Sequence, residues 1–191
     1  IGHQEYGWSF VGSEIDEKSI KSAEKIIENN PPLKGNVDIR FQKYNQNVFR
    51  GVIKKDERYD MVVCNPPFHS SALEAQEASQ RKVSNLSKGK KIEAPLNFGG
   101  QSHELWCKGG EEFFLKNMVI ESKDFAQSCF WFTSLISRES RVKNAIANLK
   151  KFRPKQIKVI PMGQGNKVSR FVAWTFLTDE EQKEWAKERW K

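Results

Sequence analysis

Apolar and polar residues alternate or cluster along the chain in short blocks. Trp8 to Ser13 reads as a strand, and Asp16 is placed to cap a helix. Ile20, Ala23, Ile26 and Ile27 follow at helical spacing, with Lys and Glu on the opposite face. Asn29-Asn30-Pro31-Pro32 stops that helix. Val37 to Phe41 alternates as a second strand, and Tyr59 to Cys64 reads as a short buried third. Glu111 to Ser122 predicts a helix with Phe113, Phe114, Leu115, Met118 and Val119 on or near one face. Phe125 to Ile136 contains a continuous apolar run that suits a fully buried strand. Residues 139–152 predict another helix, and Pro154 ends it. Ile157 to Met162, the turn Gly163-Gln164-Gly165-Asn166 and Phe171 to Leu177 form a hairpin. Thr178 or Asp179 caps a last helix that ends near Trp190. Strands alternating with helices predict an α/β domain with a mainly parallel sheet, to which the hairpin adds one antiparallel strand.

Residues 69–110 break the pattern: they are polar, rich in Gly, Ser and Lys, and carry few periodic apolar positions. A connection of that length inside a domain is usually functional. The 191 residues fit a single domain, 1–191, with 69–110 as an insertion.

Charge narrows the partner. The formal net charge is +8, which favours a polyanion such as nucleic acid. The insertion concentrates it at Arg81, Lys82, Lys88, Lys90 and Lys91, with Trp106 available to stack on an unpaired base. A second basic stretch runs from Arg138 to Lys158. Cys64, Cys107 and Cys129 have neither disulfide nor metal spacing, and a reducing cytoplasm is expected. That spacing leads us to expect no metal, and no run of apolar residues is long enough to span a bilayer, so no membrane partner is expected. A monomer is expected.

The candidate chemistry lies in Asn65-Pro66-Pro67-Phe68, directly after the third strand. Two prolines stiffen the turn and remove two N–H donors, so its carbonyls meet no competing donors. The Asn65 side chain adds an acceptor, and Phe68 adds a flat face. Such a corner suits a planar ring with an exocyclic NH2. His69 adjoins it as a loop residue.

The turn resembles the Asn/Asp-Pro-Pro-aromatic signature of amino-methyltransferases. Phe10-Val11-Gly12-Ser13-Glu14-Ile15-Asp16, the turn itself, and Gly99-Gly100-Gln101 through Gly109-Gly110-Glu111, with His103-Glu104-Leu105-Trp106, extend the likeness over nearly the whole chain. The sequence resembles the bacterial 23S ribosomal RNA adenine-N6 methyltransferase F family, which is related to the methyltransferase-like enzymes acting on U6 small nuclear RNA. That resemblance implies a Rossmann-like class I methyltransferase fold, S-adenosylmethionine as methyl donor and a ribosomal RNA adenine as acceptor. It implies that Glu14 meets the donor ribose, that Ile15 and Asn65 also line the donor site, that Asn47 meets the donor adenine, and that Asn65, Pro66, Pro67 and Phe68 form the catalytic corner. The family opens on a strand and an Asp-x-Gly-x-Gly loop that this sequence lacks. In the family fold that strand lies between the strands ending at Glu14 and Cys64, and an empty slot there would orphan two rows of backbone groups. The chain is therefore expected to lack its N-terminal part. The same turn serves glutamine N5-methylation of proteins and DNA adenine methylation. Without the glycine loop, a catalytically silent RNA-binding domain is a further alternative.

Overall fold

The structure is a computed structural model that describes residues 1–77, 105–164 and 167–190. It divides into two compact units, Ile1–Glu57 and Arg58–Lys191.

The first unit opens with a short helix α1 (Gly2–Tyr6), followed by strand β1 (Phe10–Glu14), helix α2 (Glu17–Glu28), a 3-10 turn (Pro31–Leu33) and strand β2 (Val37–Phe41). Asp16 caps α2 as expected, accepting from Ser19 N at 2.8 Å. β1 and β2 run parallel in register from Phe10↔Val37 to Glu14↔Phe41, a β-α-β unit. The expected first strand starts two residues later than the sequence pattern indicates. Trp8 instead stacks on Tyr6, with ring centroids 5.1 Å apart. Arg40 binds the end of this unit: it donates twice to the Glu57 carboxylate at 2.7 Å and once to Val52 O at 2.6 Å. The forked geometry suits guanidinium and carboxylate.

The second unit contains β3 (Tyr59–Cys64), α3 (Gly110–Asp124), β4 (Cys129–Ile136), α4 (Glu139–Lys151), β5 (Gln156–Gln164), β6 (Lys167–Thr175) and α5 (Asp179–Arg189). Its sheet has the order β3-β4-β6-β5. β3 and β4 are parallel, and β6 is antiparallel to both β4 and β5. The one antiparallel strand is thus the return limb of the hairpin, as the sequence predicts. The tip of that hairpin, residues 165–166, lies outside the described residues. The stretch from Phe125 resolves into the C-cap of α3 at Phe125, a turn closed by Ser128 N on Phe125 O at 2.9 Å, and β4 from Cys129.

β4 is buried along most of its length, because β3 and β6 flank it and helices cover it. Phe132 is 0% exposed and stacks on Trp174, with centroids 5.8 Å apart. Trp174 Nε1 donates to Ser122 Oγ at 3.0 Å, so the buried indole N–H is satisfied. Met118, Val119, Leu149 and Val172 complete this layer. Cys129 lies in the core, and burial pushes its thiol up to about 12. Burial does the same to Cys64, against a weaker opposing bond from Ser134, again to about 12.

α5 carries a capping box at Thr178 and Glu181 and buries Trp185. Its far end locks onto the start of β3. Trp185 Nε1 and Trp190 Nε1 donate to Asp60 Oδ1 at 2.7 and 2.9 Å, and Arg189 bonds both Asp60 oxygens. Arg58 lies 4.1 Å over the Trp185 ring. Burial raises the Asp60 carboxyl, but the donors from Arg189, Trp185 and Trp190 outweigh it and hold the group at about 2, below its ordinary 3.8. The unfolded chain therefore takes up this proton first as pH falls. The Asp60 contribution is complete above about pH 4 and is lost as pH falls through 2. Urea midpoints of wild type and Asp60→Asn should differ by a constant amount from pH 7 to 5. The gap should close between about pH 4 and 2. A gap unchanged at pH 2 would mean that the carboxylate charge plays no part in the lock.

Candidate active site

β3 sets the position of the turn. Its ladder with β4 ends at Cys64↔Ser134, and Thr133 Oγ1 donates to Val62 O at 2.8 Å beside it. The prolines prevent the ladder from continuing. Pro66 is buried, Pro67, Phe68 and His69 are half-buried, and Asn65 is exposed. Pro66 thus wedges the turn into the core while the Asn65 amide faces outward. Among the described residues, neither the Asn65 side chain nor the Pro66 carbonyl takes a hydrogen-bond partner. The exposed Asn65 side chain is thus an acceptor without a partner among the described residues, on a proline-stiffened corner.

The chain leaving the corner is clamped at once. His69 and Trp106 form an isolated parallel bridge: His69 N donates to Leu105 O at 3.0 Å and Cys107 N donates to His69 O at 3.1 Å. The two ends of the insertion are therefore fastened together beside the turn. Ser71 starts a helical stretch over 72–77, with Glu74 N donating to Ser71 Oγ at 3.2 Å. Glu74 Oε2 accepts from Ser70 N at 2.8 Å and Ser70 Oγ at 2.6 Å. These bonds hold the Glu74 carboxyl down at about 2. Glu74 Oε1 lies 3.7 Å from His69 Nδ1. The sequence reads His69 as a hydrogen-bonding loop residue without naming its partner; the pairing with Glu74 is a helix-start contact that the Ser70-Ser71-x-x-Glu74 spacing could have signalled.

Trp106 is half-buried, and its Nε1 is enclosed without a hydrogen-bond partner. It is held by its bridge to His69. Arg81, Lys82, Lys88, Lys90 and Lys91 fall outside the described residues.

Glu14, Ile15 and Asn47 belong to the first unit. Glu14 ends β1, and its Oε1 accepts from Ile15 N at 2.6 Å and Asp16 N at 2.9 Å. This fixes the carboxylate at the mouth of α2 and leaves Oε2 without a partner among the described residues. Ile15 is 40% exposed beside it. Gln42, which sequence reasoning missed, brings Asn47 into the same neighbourhood. Its backbone N donates to Glu14 O at 2.7 Å. Its buried side chain accepts from Tyr44 N at 3.0 Å and donates to Arg50 O at 2.8 Å, cross-bracing the loop that carries Asn47. A polar residue directly after an alternating strand carried no sign of that burial. An anchored carboxylate with one free oxygen, next to an exposed apolar side chain, fits a nucleoside: the oxygen can accept from ribose hydroxyls and the apolar face can meet a base. Among the described residues no group of three or more His, Cys, Asp or Glu could hold a metal ion. Among them, too, no helix is long and apolar enough to cross a membrane.

Taken with the strand order, a proline-stiffened corner at the carboxyl end of β3 defines a class I methyltransferase fold. Solved structures share it. The hMettl16 catalytic domain in complex with a MAT2A 3'UTR hairpin superposes with a TM-score of 0.74 at 23% identity, over 93% of this chain and 59% of that one. The N-terminal domain of human METTL16 in complex with SAH gives 0.65 at 19% identity, over 93% and 55%. The chain belongs to the RNA methyltransferase family, whose profile matches residues 1–178. Among curated relatives, ribosomal RNA large subunit methyltransferase F of Cytophaga hutchinsonii is 50% identical over 191 residues, which is 100% of this chain and 59% of the relative. The protein of that name from Bacteroides thetaiotaomicron is 51% identical over 178 residues, 93% of this chain and 58% of the relative. That from Serratia proteamaculans is 48% identical over 192 residues, 100% and 57%. The chain thus spans less than two thirds of the length of these relatives.

Proposed function

We propose that this chain carries the acceptor-gripping part of an enzyme that methylates N6 of an adenine in 23S ribosomal RNA, with S-adenosylmethionine as donor. One observation carries the reading: Asn65 is exposed with no side-chain partner among the described residues, on a proline-stiffened corner that the buried Pro66 anchors in the core. The 50% identity to a ribosomal RNA large subunit methyltransferase F supports the choice of RNA.

The amine of adenine is a poor nucleophile, because its lone pair is delocalised into the ring. The Asn65 side-chain oxygen and the Pro66 carbonyl accept its two hydrogens and hold the nitrogen as it becomes tetrahedral. When bound, the donor supplies an electrophilic sulfonium methyl. The fixed carbonyl dipoles stabilise the positive charge that develops on the nitrogen. Phe68 offers the base a stacking partner once it has left its helix. The proton leaves after methylation, when the amine is acidic, so the corner needs no strong base. Glu14 Oε2 accepts from the donor ribose, with Ile15 and Asn47 at the donor adenine. Arg81, Lys82, Lys88, Lys90 and Lys91 are assigned to RNA phosphates, which makes binding salt-dependent.

Labelled methyl transfer to 23S rRNA from cells lacking the gene, read by nucleoside mass spectrometry, tests this directly. N6-methyladenosine is the expected product. Label in protein glutamine or no label in RNA would refute the reading. Glu14→Gln keeps an oxygen for Ile15 N and Asp16 N but removes the charge. It should weaken donor binding about 10- to 100-fold by calorimetry, the usual worth of a hydrogen bond to a charged group. RNA affinity should hold. Unchanged donor affinity would remove Glu14 from the donor site.

A further inference from the structure

Glu111 is the most buried carboxylate among the described residues, with a side-chain exposure of 0%. It lies in the first turn of α3. Its Oε1 accepts from Ser137 N at 2.8 Å, and its Oε2 accepts from Ser137 Oγ at 2.8 Å and from Arg141 Nη1. The first turn of α3 is thereby fastened to the chain just past β4 and to the start of α4.

The next link is Gly110, which has φ +63. A side chain there would place its Cβ 3.4 Å from Ser70 N and 3.5 Å from His69 C. The backbone of α3 therefore rests directly on the exit of the Asn-Pro-Pro-Phe turn. Gly110 N also donates to Cys107 O at 2.8 Å, and Cys107 N donates to His69 O at 3.1 Å. His69 is thus held from two sides by the segment that Glu111 fixes. From His69 back to Asn65 the chain passes through two prolines, which transmit a displacement rather than absorb it.

A carboxylate is a poor choice for stability alone. A buried ion pair contributes little more than well-packed apolar side chains of similar volume. Its directional bonds do fix one register of one element against another. We propose that Glu111 is a positioning residue: through Gly110 and His69 it sets where the Asn65 amide and the Pro66 carbonyl meet the acceptor amine. This rests on the reading of that corner given above.

The test compares Glu111→Gln, Gly110→Ala and the double variant Glu111→Leu/Arg141→Met in the full chain. Glu111→Gln should lower kcat about 10- to 100-fold, the scale of a misplacement near 1 Å, with KM for RNA and donor affinity little changed. Gly110→Ala should lower kcat likewise while the ion pair stays intact. The double variant refills the space with apolar atoms and should recover the melting temperature without recovering kcat. A purely structural Glu111 predicts the opposite, with turnover returning as stability returns. That result, or wild-type kcat in Glu111→Gln, overturns the proposal. Asn65→Ala run in parallel separates the two levels: an inactive Asn65→Ala beside a fully active Glu111→Gln sinks the positioning role alone. An active Asn65→Ala sinks the reading of the corner itself.

Discussion

Asn65→Ala should lower methyl transfer to RNA by about 100- to 1,000-fold, the usual cost of removing one preorganised dipole that faces developing charge. The expectation follows from what the substitution leaves alone. Asn65 is exposed and has no hydrogen-bond partner among the described residues, so its loss orphans no buried group. Pro66 remains wedged in the core, and the His69–Trp106 bridge remains closed. The melting temperature should therefore stay near wild type, and RNA affinity should fall little. The loss should appear in kcat, because the bond to the amine strengthens as the nitrogen gains charge. Asn65→Asp retains an acceptor and should keep more activity than Asn65→Ala. Single-turnover transfer of labelled methyl to 23S rRNA measures all three proteins. Wild-type turnover in Asn65→Ala would remove the side chain from the chemistry and leave the Pro66 carbonyl without its partner.

The corner was legible in the sequence because its physics is local. Two prolines fix the backbone whatever surrounds them, and the strand before them is read from six consecutive residues. β2 and β3 were legible for the same reason, and their bounds fall at Val37–Phe41 and Tyr59–Cys64 as the pattern predicts. But β3 is not the buried strand expected: it ends its sheet, with Met61 and Val63 45% and 66% exposed. Features that depend on distant partners were not legible. Glu111 owes its burial to Ser137 and Arg141, which are 26 and 30 residues away. Gln42 has nearer partners, but nothing in a strand-ending glutamine announces a buried brace. The stretch from Phe125 to Ile136 does contain the expected buried strand, but the start of that strand at Cys129 was not legible. A helix cap, a turn and a buried strand follow one another there, and periodicity cannot divide so short a stretch. α1 has only five residues, too few for any period to show.

The second large effect is expected at Phe132, far from any charge. Phe132→Ala should cost about 3–5 kcal/mol of folding stability, the range for a phenylalanine removed from a core. The site offers little room to relax. Phe132 is 0% exposed on the central strand, paired with Val62 on one side and Trp174 on the other. Its ring stacks on Trp174 at 16° between planes and meets Phe176 edge-on at 72°. Backbone pairing on both flanks keeps β3 and β6 from closing over the gap. Trp174 is held further by its bond to Ser122 and cannot swing in without orphaning that N–H. The cavity therefore persists, and its cost adds to the lost transfer energy. Phe132→Leu keeps most of the volume and should cost far less, about 1–1.5 kcal/mol. Urea unfolding should show the midpoint of Phe132→Ala falling with an unchanged slope. A loss under about 1 kcal/mol would mean that the layer collapses around the gap, contrary to its two-sided pairing.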